Sequence, residues 1–98
     1  MRETPGRHGL LDPDELEERL RGLAEWRVED GALVKSFTFS NFVSAVAFVD
    51  RLTFAAEAQN HHPDLEVGWG KVTARLRSHD AGGITARDFR LAAALDEL

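Results

Sequence analysis

The chain of 98 residues contains no cysteine and fewer basic than acidic residues, and each of these shortages excludes a class of function. Without cysteine there is no disulfide, thiolate nucleophile, iron–sulfur cluster or cysteine-ligated zinc, and a reducing cytoplasm suits this composition. Only 12 Lys and Arg stand against 17 Asp and Glu, a net charge of −5. Nucleic acids and anionic membranes are bound by clustered Lys and Arg, so neither is expected as a partner.

The length bounds the domain organisation, because about 100 residues can enclose one hydrophobic core but not two. Residues 1–10 mix charges with Pro and Gly and lack the apolar stretch of a secretory signal or membrane span. We therefore expect a flexible leader over 1–10 and a single domain over 11–98.

The first half of the chain predicts a helix and a hairpin. Asp12-Pro13 has the residue types of a helix start, and the leucine stripe that follows predicts a helix ending near Gly22. Apolar and polar residues then alternate over 26–29 and 33–39 around Asp30-Gly31, which predicts two antiparallel strands and a tight turn. Their predicted buried side chains are Trp26, Val28, Phe37 and Phe39.

The second half repeats this order. Residues 41–60 have helical periodicity, residues 65–69 and 72–76 alternate around a Gly70-Lys71 turn, and Thr85 to Asp88 has the spacing of a capping box before a closing helix. The predicted packing face of the long helix consists of Phe42, Ala45, Val46, Val49, Leu52 and Ala56. The fold class is thus α+β in the order α-β-β-α-β-β-α, with three helices on one face of a four-stranded antiparallel sheet.

Three of the four histidines lie between positions 61 and 79, close to Glu57. Pro63 disfavours helical geometry at His62, so the long helix should end near His61. Glu57 and His61 are four positions apart and could share one helical face, where the carboxylate would orient the imidazole. His62 would then point elsewhere, and His79 alone would be a surface residue at a strand end. Adjacent imidazoles aimed at different atoms suit proton transfer near neutral pH.

Other interpretations of these residues stay open. His-His-Pro at a helix terminus can simply cap the last carbonyl groups. His61, His62, His79 and Glu57 are an acceptable zinc ligand set, but neighbouring histidines seldom converge on one ion, so we expect no metal. A serine hydrolase is not favoured, because Ser78 is merely adjacent to His79 and no Gly-x-Ser-x-Gly elbow exists. The capping box explains Asp88 as a structural residue.

Taken together, these residues resemble the signature of the pterin-4a-carbinolamine dehydratase family: an acidic or polar residue, His-His-Pro, an aromatic, His and Asp at set intervals. The matching residues are Glu57, His61-His62-Pro63, Trp69, His79 and Asp88. The resemblance extends from about Leu16 to the last helix. It departs at Leu65, where members often have an aromatic residue, and at Gly68 and Gly70, which loosen the second hairpin.

The resemblance implies dehydration of 4a-hydroxytetrahydrobiopterin to quinonoid dihydropterin, in tetrahydrobiopterin recycling, with no metal or redox cofactor. It implies His61 as the main acid, oriented by Glu57, His79 as the second proton-transfer group, and His62 chiefly in binding. Trp69 could pack beside the substrate, while Asp88 and Pro63 would be structural.

The resemblance also implies a pterin as the small-molecule partner and a homodimer or homotetramer. The alternative function is a non-catalytic binding module of the same fold, since relatives act as a transcriptional coactivator or as assembly factors. The intact histidines favour catalysis, because a scaffold has no physical need for three clustered imidazoles.

Overall fold

The structure, a computed structural model, describes residues 9–98; the first eight positions of the predicted leader lie outside the described residues. All strand pairs in it are antiparallel, and the two hairpins join into one sheet through the second strand of each. The predicted α+β class and the predicted element order are both confirmed. In chain order the elements are α1 (Pro13–Leu20), β1 (Arg27–Glu29), β2 (Ala32–Thr38), α2 (Phe42–Gln59), β3 (Asp64–Gly68), β4 (Lys71–Leu76) and α3 (Ala86–Asp96).

Side-chain caps set the first residue of each helix. The predicted Asp12 cap is part of a capping box with Glu15, and Asn41 accepts a hydrogen bond from the backbone N–H of Ser44 at the start of α2. The predicted capping box of α3 is also present. Within residues 9–98, no helix combines the length and apolar character needed to cross a membrane.

The core lies between the helices and one face of the sheet, but α2 is rotated relative to the predicted face. Phe48 is buried against the rings of Phe37 and Phe39, with centroid distances of 4.7 and 5.1 Å. Anchoring the helix through Phe48 turns Phe42 and Val46 outward, so their predicted burial is wrong. The buried face consists of Ala45, Phe48, Leu52 and Ala56.

The prediction for the first hairpin is correct at Trp26 and wrong at Val28. Trp26 is buried, and its indole Nε1 donates to the Asp96 carboxylate at 3.0 Å. Val28 is 43% exposed, although it pairs with the fully buried Leu33. The reason is that β1 is a three-residue strand at the sheet edge, where one side of each residue has no strand neighbour. The half-buried Phe37 and Phe39 pack against the core as predicted.

The second hairpin turns one residue earlier than predicted, at Trp69-Gly70. The backbone N–H of Phe39 donates to the carbonyl oxygen of Gly70 at 2.8 Å, and a Cβ on Gly70 would lie 2.7 Å from the carbonyl oxygen of Phe39. Lys71 pairs with Thr38 and therefore already belongs to β4. The close approach of β2 thus requires glycine at position 70.

Four chain segments meet at one end of the sheet. β3 begins at Asp64, which pairs with Arg75 near the end of β4. The C-terminus of α2 leads directly into β3, and the loop after β4 leads into α3. Residues 60–64 and 77–88 are therefore brought together by the antiparallel topology, although they are separate in sequence.

Candidate active site

The two adjacent histidines follow a left-handed turn at the end of α2. Asn60 has φ 49° and ψ 44°, and its backbone N–H donates to the carbonyl oxygens of Ala56 and Glu57. The backbone N–H of His61 donates to the carbonyl oxygen of Ala56 at 3.0 Å. This is the Schellman pattern, in which backbone donors, and not the imidazoles, bind the carbonyl oxygens of Ala56 and Glu57. The capping interpretation therefore does not account for the two imidazoles.

The left-handed turn also decides which carboxylate each histidine meets. His62 Nε2 lies 2.6 Å from Glu57 Oε2, in a pair whose side chains are 56% and 74% exposed. The expectation that Glu57 orients His61 is wrong. Helical geometry ends at Gln59, so a separation of four residues no longer places Glu57 and His61 on one face.

His61 instead reaches α3, where its Nε2 lies 2.5 Å from Asp88 Oδ1. The Asp88 side chain is fully buried and that of His61 is only 12% exposed. Asp88 also caps its helix, because its Oδ2 accepts the backbone N–H of Thr85 at 2.9 Å. The structural assignment of Asp88 is thus correct but incomplete, since the same carboxylate holds a site histidine.

A polar cluster surrounds Asp88 beneath the histidines. Ser78 and Thr85 are buried, and their hydroxyl oxygens lie 2.8 Å apart. Ser78 Oγ also donates to Asp88 Oδ2 at 3.0 Å. The loop that follows β4 holds the backbone of Ser78 in place. The N–H of Ser78 donates to the carbonyl oxygen of Gly83, and the carbonyl oxygen of Ser78 accepts the backbone N–H groups of residues 81–83. From the sequence, Thr85 is predicted only as a helix cap and Ser78 only as a neighbour of His79, and neither hydroxyl is predicted to support the site. The fixed spacing of Thr85 and Asp88 was the signal that could have connected Thr85 to it.

The three histidines border one open cleft of about 380 Å³. This volume lies within the range of roughly 300–1,000 Å³ that small-molecule sites occupy. The cleft is where the sequence analysis expects a site, between the exit of α2 and the loop before α3. Its lining consists of Asn60, His61, His62, Pro63, Asp64, Arg77, Ser78, His79, Asp80 and Arg87.

Charged groups of both signs border the imidazoles. Arg87 pairs with Asp80 at 2.9 Å, and Asp64 also lines the cleft. Arg77 Nε is buried and has no hydrogen-bond partner within the described part of the chain. The cleft therefore offers donors, acceptors and titratable rings to a polar ligand.

Trp69 does not line this cleft. It lies in the β3–β4 turn with 70% of its surface exposed, at the opposite end of the hairpin from Asp64. Five strand residues at about 3.3 Å each separate these ends by roughly 16 Å. The expectation that Trp69 packs beside the substrate is wrong for a cleft formed by a single chain.

Among residues 9–98, no three His, Asp or Glu side chains are placed so that they could bind one metal ion. His61 and His62 turn their Nε2 atoms toward different carboxylates. The site is thus organised as two separate imidazole–carboxylate pairs, with His79 beside them.

Comparison with known sequences assigns the family. The sequence model of the family "Pterin 4 alpha carbinolamine dehydratase" matches residues 9–98. A protein of Roseiflexus castenholzii, named "Putative pterin-4-alpha-carbinolamine dehydratase", is 48% identical over 89 residues, covering 91% of this chain and 96% of its own. A protein of the same name from Chloroflexus aurantiacus is 43% identical over 88 residues, covering 90% of this chain and 95% of its own.

Solved structures agree with this assignment. A crystal structure of a "transcriptional coactivator/pterin dehydratase" from Brucella melitensis is 30% identical, with a TM-score of 0.84 over 89% of this chain and 95% of that chain. A "pterin dehydratase-like protein", identified as a RuBisCO assembly factor in the alpha-carboxysome, is 25% identical, with a TM-score of 0.59 over 74% and 83%. The fold and cleft define a small α+β protein with clustered acid–base side chains. The chain belongs to the pterin 4 alpha carbinolamine dehydratase family.

Proposed function

We propose that this protein dehydrates a 4a-hydroxytetrahydropterin, such as 4a-hydroxytetrahydrobiopterin, to the quinonoid dihydropterin in tetrahydrobiopterin recycling. The C4a–O bond breaks as an acid protonates the departing hydroxyl, which leaves as water. A base accepts the N5 proton, and a C4a=N5 double bond forms. No electrons are gained or lost, so positioned acid–base groups are sufficient, and such groups contribute on the order of 10² to 10⁴ in rate.

The observation that carries the proposal is the convergence of His61, His62 and His79 on one cleft. We assign His61 as the acid that protonates the hydroxyl, and Asp88 replaces Glu57 as the group that orients it. The buried Asp88 carboxylate compensates the positive charge of His61 when both ring nitrogens carry protons. His79 is the second proton-transfer group.

His62 has a binding role in this proposal. Its ring is held by Glu57 at the exposed rim of the cleft, where both side chains are in contact with water. A ligand can therefore replace the water around His62, and the free energy cost of desolvation is small. This position suits recognition of the polar edge of a pterin.

The test is turnover of synthetic 4a-hydroxytetrahydropterin, followed by the absorbance of the quinonoid product. We expect catalytic amounts of the protein to raise the rate well above that in buffer. The matched control is the triple variant His61→Gln, His62→Gln and His79→Gln at equal concentration, with its fold checked by circular dichroism. A wild-type rate equal to that of buffer would overturn the proposal.

We also propose self-association into a homodimer or homotetramer, which the family resemblance implies. The supporting observation is the outward face of α2, where four large apolar side chains are exposed: Phe42, Val43, Val46 and Phe54. Large apolar side chains exposed along one helix commonly mark an interface. Light scattering measures the mass in solution, and a monomeric wild type at micromolar concentration would exclude the oligomer. We expect an oligomeric mass for the wild type and a smaller mass for Phe54→Glu.

The same face supports the alternative function, a non-catalytic binding module. Two solved relatives are described as a coactivator and as an assembly factor, respectively. The turnover assay distinguishes the two functions, because a binding module with this fold has no requirement for an accelerated dehydration. Wild-type turnover that is lost in the triple histidine variant would favour the enzyme.

A further inference from the structure

Behind His61 lies a continuous chain of hydrogen bonds that ends on a backbone donor. Thr85 Oγ1 accepts from the backbone N–H of Arg87 at 3.1 Å and from Arg87 Nε at 3.3 Å. Thr85 Oγ1 and Ser78 Oγ are 2.8 Å apart, and Ser78 Oγ lies 3.0 Å from Asp88 Oδ2. Asp88 Oδ1 then meets His61 Nε2 at 2.5 Å.

The N–H donors to Thr85 fix the direction of each hydrogen bond in this chain as far as Asp88. The lone pairs of Thr85 Oγ1 receive two N–H donors, so its own proton is available to Ser78 Oγ. Ser78 then gives its proton to Asp88 Oδ2, which also accepts the backbone N–H of Thr85. Only the Asp88–His61 hydrogen bond remains. An imidazole is a stronger base than a carboxylate, so the shared proton lies on Nε2 of His61.

We infer that the Ser78–Thr85–Asp88 chain holds His61 in the tautomer protonated at Nε2, so that Nδ1 is the nitrogen that exchanges a proton with the ligand. Ser78 and Thr85 are positioning residues, which act on the ligand only through Asp88 and His61. The catalytic consequence rests on the proposed dehydratase function, whereas the tautomer is a property of the free protein.

The surroundings of His61 agree with an accessible Nδ1. Within residues 9–98 Nδ1 makes no hydrogen bond, and it is not one of the buried polar atoms left without a partner. His62 provides the contrast. It also engages a carboxylate through Nε2, but that pair is exposed, and no buried hydroxyl holds Glu57 in place. Water can therefore replace either member of the His62–Glu57 pair, and of these two histidines it is His61 whose ring is held in place.

Asp88→Asn reverses the hydrogen bond to His61 and tests the inference. The Asn oxygen must remain with the donors from Ser78 and Thr85, so its NH₂ group faces His61 Nε2, which becomes an acceptor. The helix cap is retained, so the fold should be too. In protein labelled with ¹⁵N at histidine, near pH 8, we expect protonated Nε2 in the wild type and protonated Nδ1 in the variant. A wild-type His61 protonated at Nδ1, or an equal mixture of tautomers, would overturn the inference.

Turnover gives a second readout. Asp88→Asn should lower kcat at least tenfold with little change in KM, because Nδ1, which still faces the ligand, then carries the proton of the neutral ring, and the charged ring has lost its carboxylate. Asp12→Asn is the matched control: it makes the same substitution in the capping box of α1, away from the cleft, and should leave both the His61 tautomer and kcat unchanged. A kcat within twofold of the wild type in Asp88→Asn, with the tautomer reversed, would contradict the catalytic part.

Ser78→Ala tests the chain without changing any charge, and it also serves if Asp88→Asn does not fold. Losing the hydroxyl removes one of the two donors to Asp88 Oδ2, so the carboxylate can turn away from His61 for part of the time. Whenever that bond is broken, nothing holds the proton on Nε2, and we expect the Nδ1-protonated tautomer to appear beside the Nε2-protonated one. We expect kcat to fall about threefold or more at constant KM, as for the loss of a supporting hydrogen bond. An unchanged tautomer and kcat would remove Ser78 from the mechanism. If the wild type lacks turnover but shows the Nε2 tautomer, the proposed function fails and the assignment of the tautomer stands.

Discussion

His61 and Asp88 are 27 positions apart and share a 2.5 Å hydrogen bond, although Glu57 is far closer to His61 in sequence. Asp88 performs two tasks with its two oxygens, because Oδ2 caps α3 and Oδ1 holds the imidazole. The helix cap and the candidate active site therefore share one carboxylate, and a substitution that disturbs one should also disturb the other.

Replacing His61 separates catalysis from stability. His61→Gln keeps a donor for Asp88, so we expect dehydration at least tenfold slower and a nearly unchanged Tm. His61→Ala leaves Oδ1 of the buried Asp88 carboxylate unpaired. We expect its free energy of unfolding to be about 1–3 kcal/mol lower than that of His61→Gln. Turnover and thermal denaturation of the two variants provide the comparison. Equal Tm values for both would contradict the structural role of the bond.

His62→Ala should affect binding rather than chemistry. Its ring pairs with Glu57 at the exposed rim, so KM should rise several-fold while kcat stays within about threefold of the wild type. Exposed ion pairs contribute little, so the free energy of unfolding should change by no more than about 1 kcal/mol. Steady-state kinetics with the synthetic carbinolamine gives both constants. A loss confined to kcat would assign His62 to proton transfer instead.

Trp69→Ala should leave kcat/KM within about twofold of the wild type, because Trp69 lies at the far end of the hairpin from the histidine cleft. The measurement is turnover at equal protein concentration, with the oligomeric mass determined in parallel. A tenfold loss at unchanged mass would contradict the placement of the cleft within one chain, since Trp69 would then have to reach the cleft of a neighbouring copy.

Gly70→Ala should destabilise the second hairpin. Its Cβ would lie 2.7 Å from the carbonyl oxygen of Phe39, and the backbone must shift to relieve the contact, at a cost of about 1–3 kcal/mol. Gly68→Ala is the control, because the atom nearest to its new Cβ, the carbonyl oxygen of Lys71, would lie at an ordinary 3.9 Å. Chemical denaturation measures both. A smaller loss for Gly70→Ala than for Gly68→Ala would be inconsistent with the close approach of β2.

Local patterns in the sequence were enough for the element types, their order and their caps. Asp12 and Thr85 cap helices as predicted, and the sheet is antiparallel as two hairpins require. Such features depend on residues within a few positions of one another, and periodicity and cap chemistry report these directly. The grouping of His61, His62 and His79 around one cleft also followed from the sequence, with the family resemblance assigning their roles.

The partners of those histidines depend on tertiary structure. Asn60 adopts a left-handed conformation, which ends the helical geometry before His61. Because of this single residue, His62 pairs with Glu57, and His61 pairs with Asp88 on α3. The packing of Phe48 on Phe37 sets the rotation of α2 in the same way and exposes Phe42. The sequence alone thus determined the secondary structure and grouped the three histidines, whereas only the tertiary structure decided how these side chains pair and added Ser78 and Thr85 to the site. The physical reason is that contacts between distant residues depend on small rotations at element ends, which local propensities leave free.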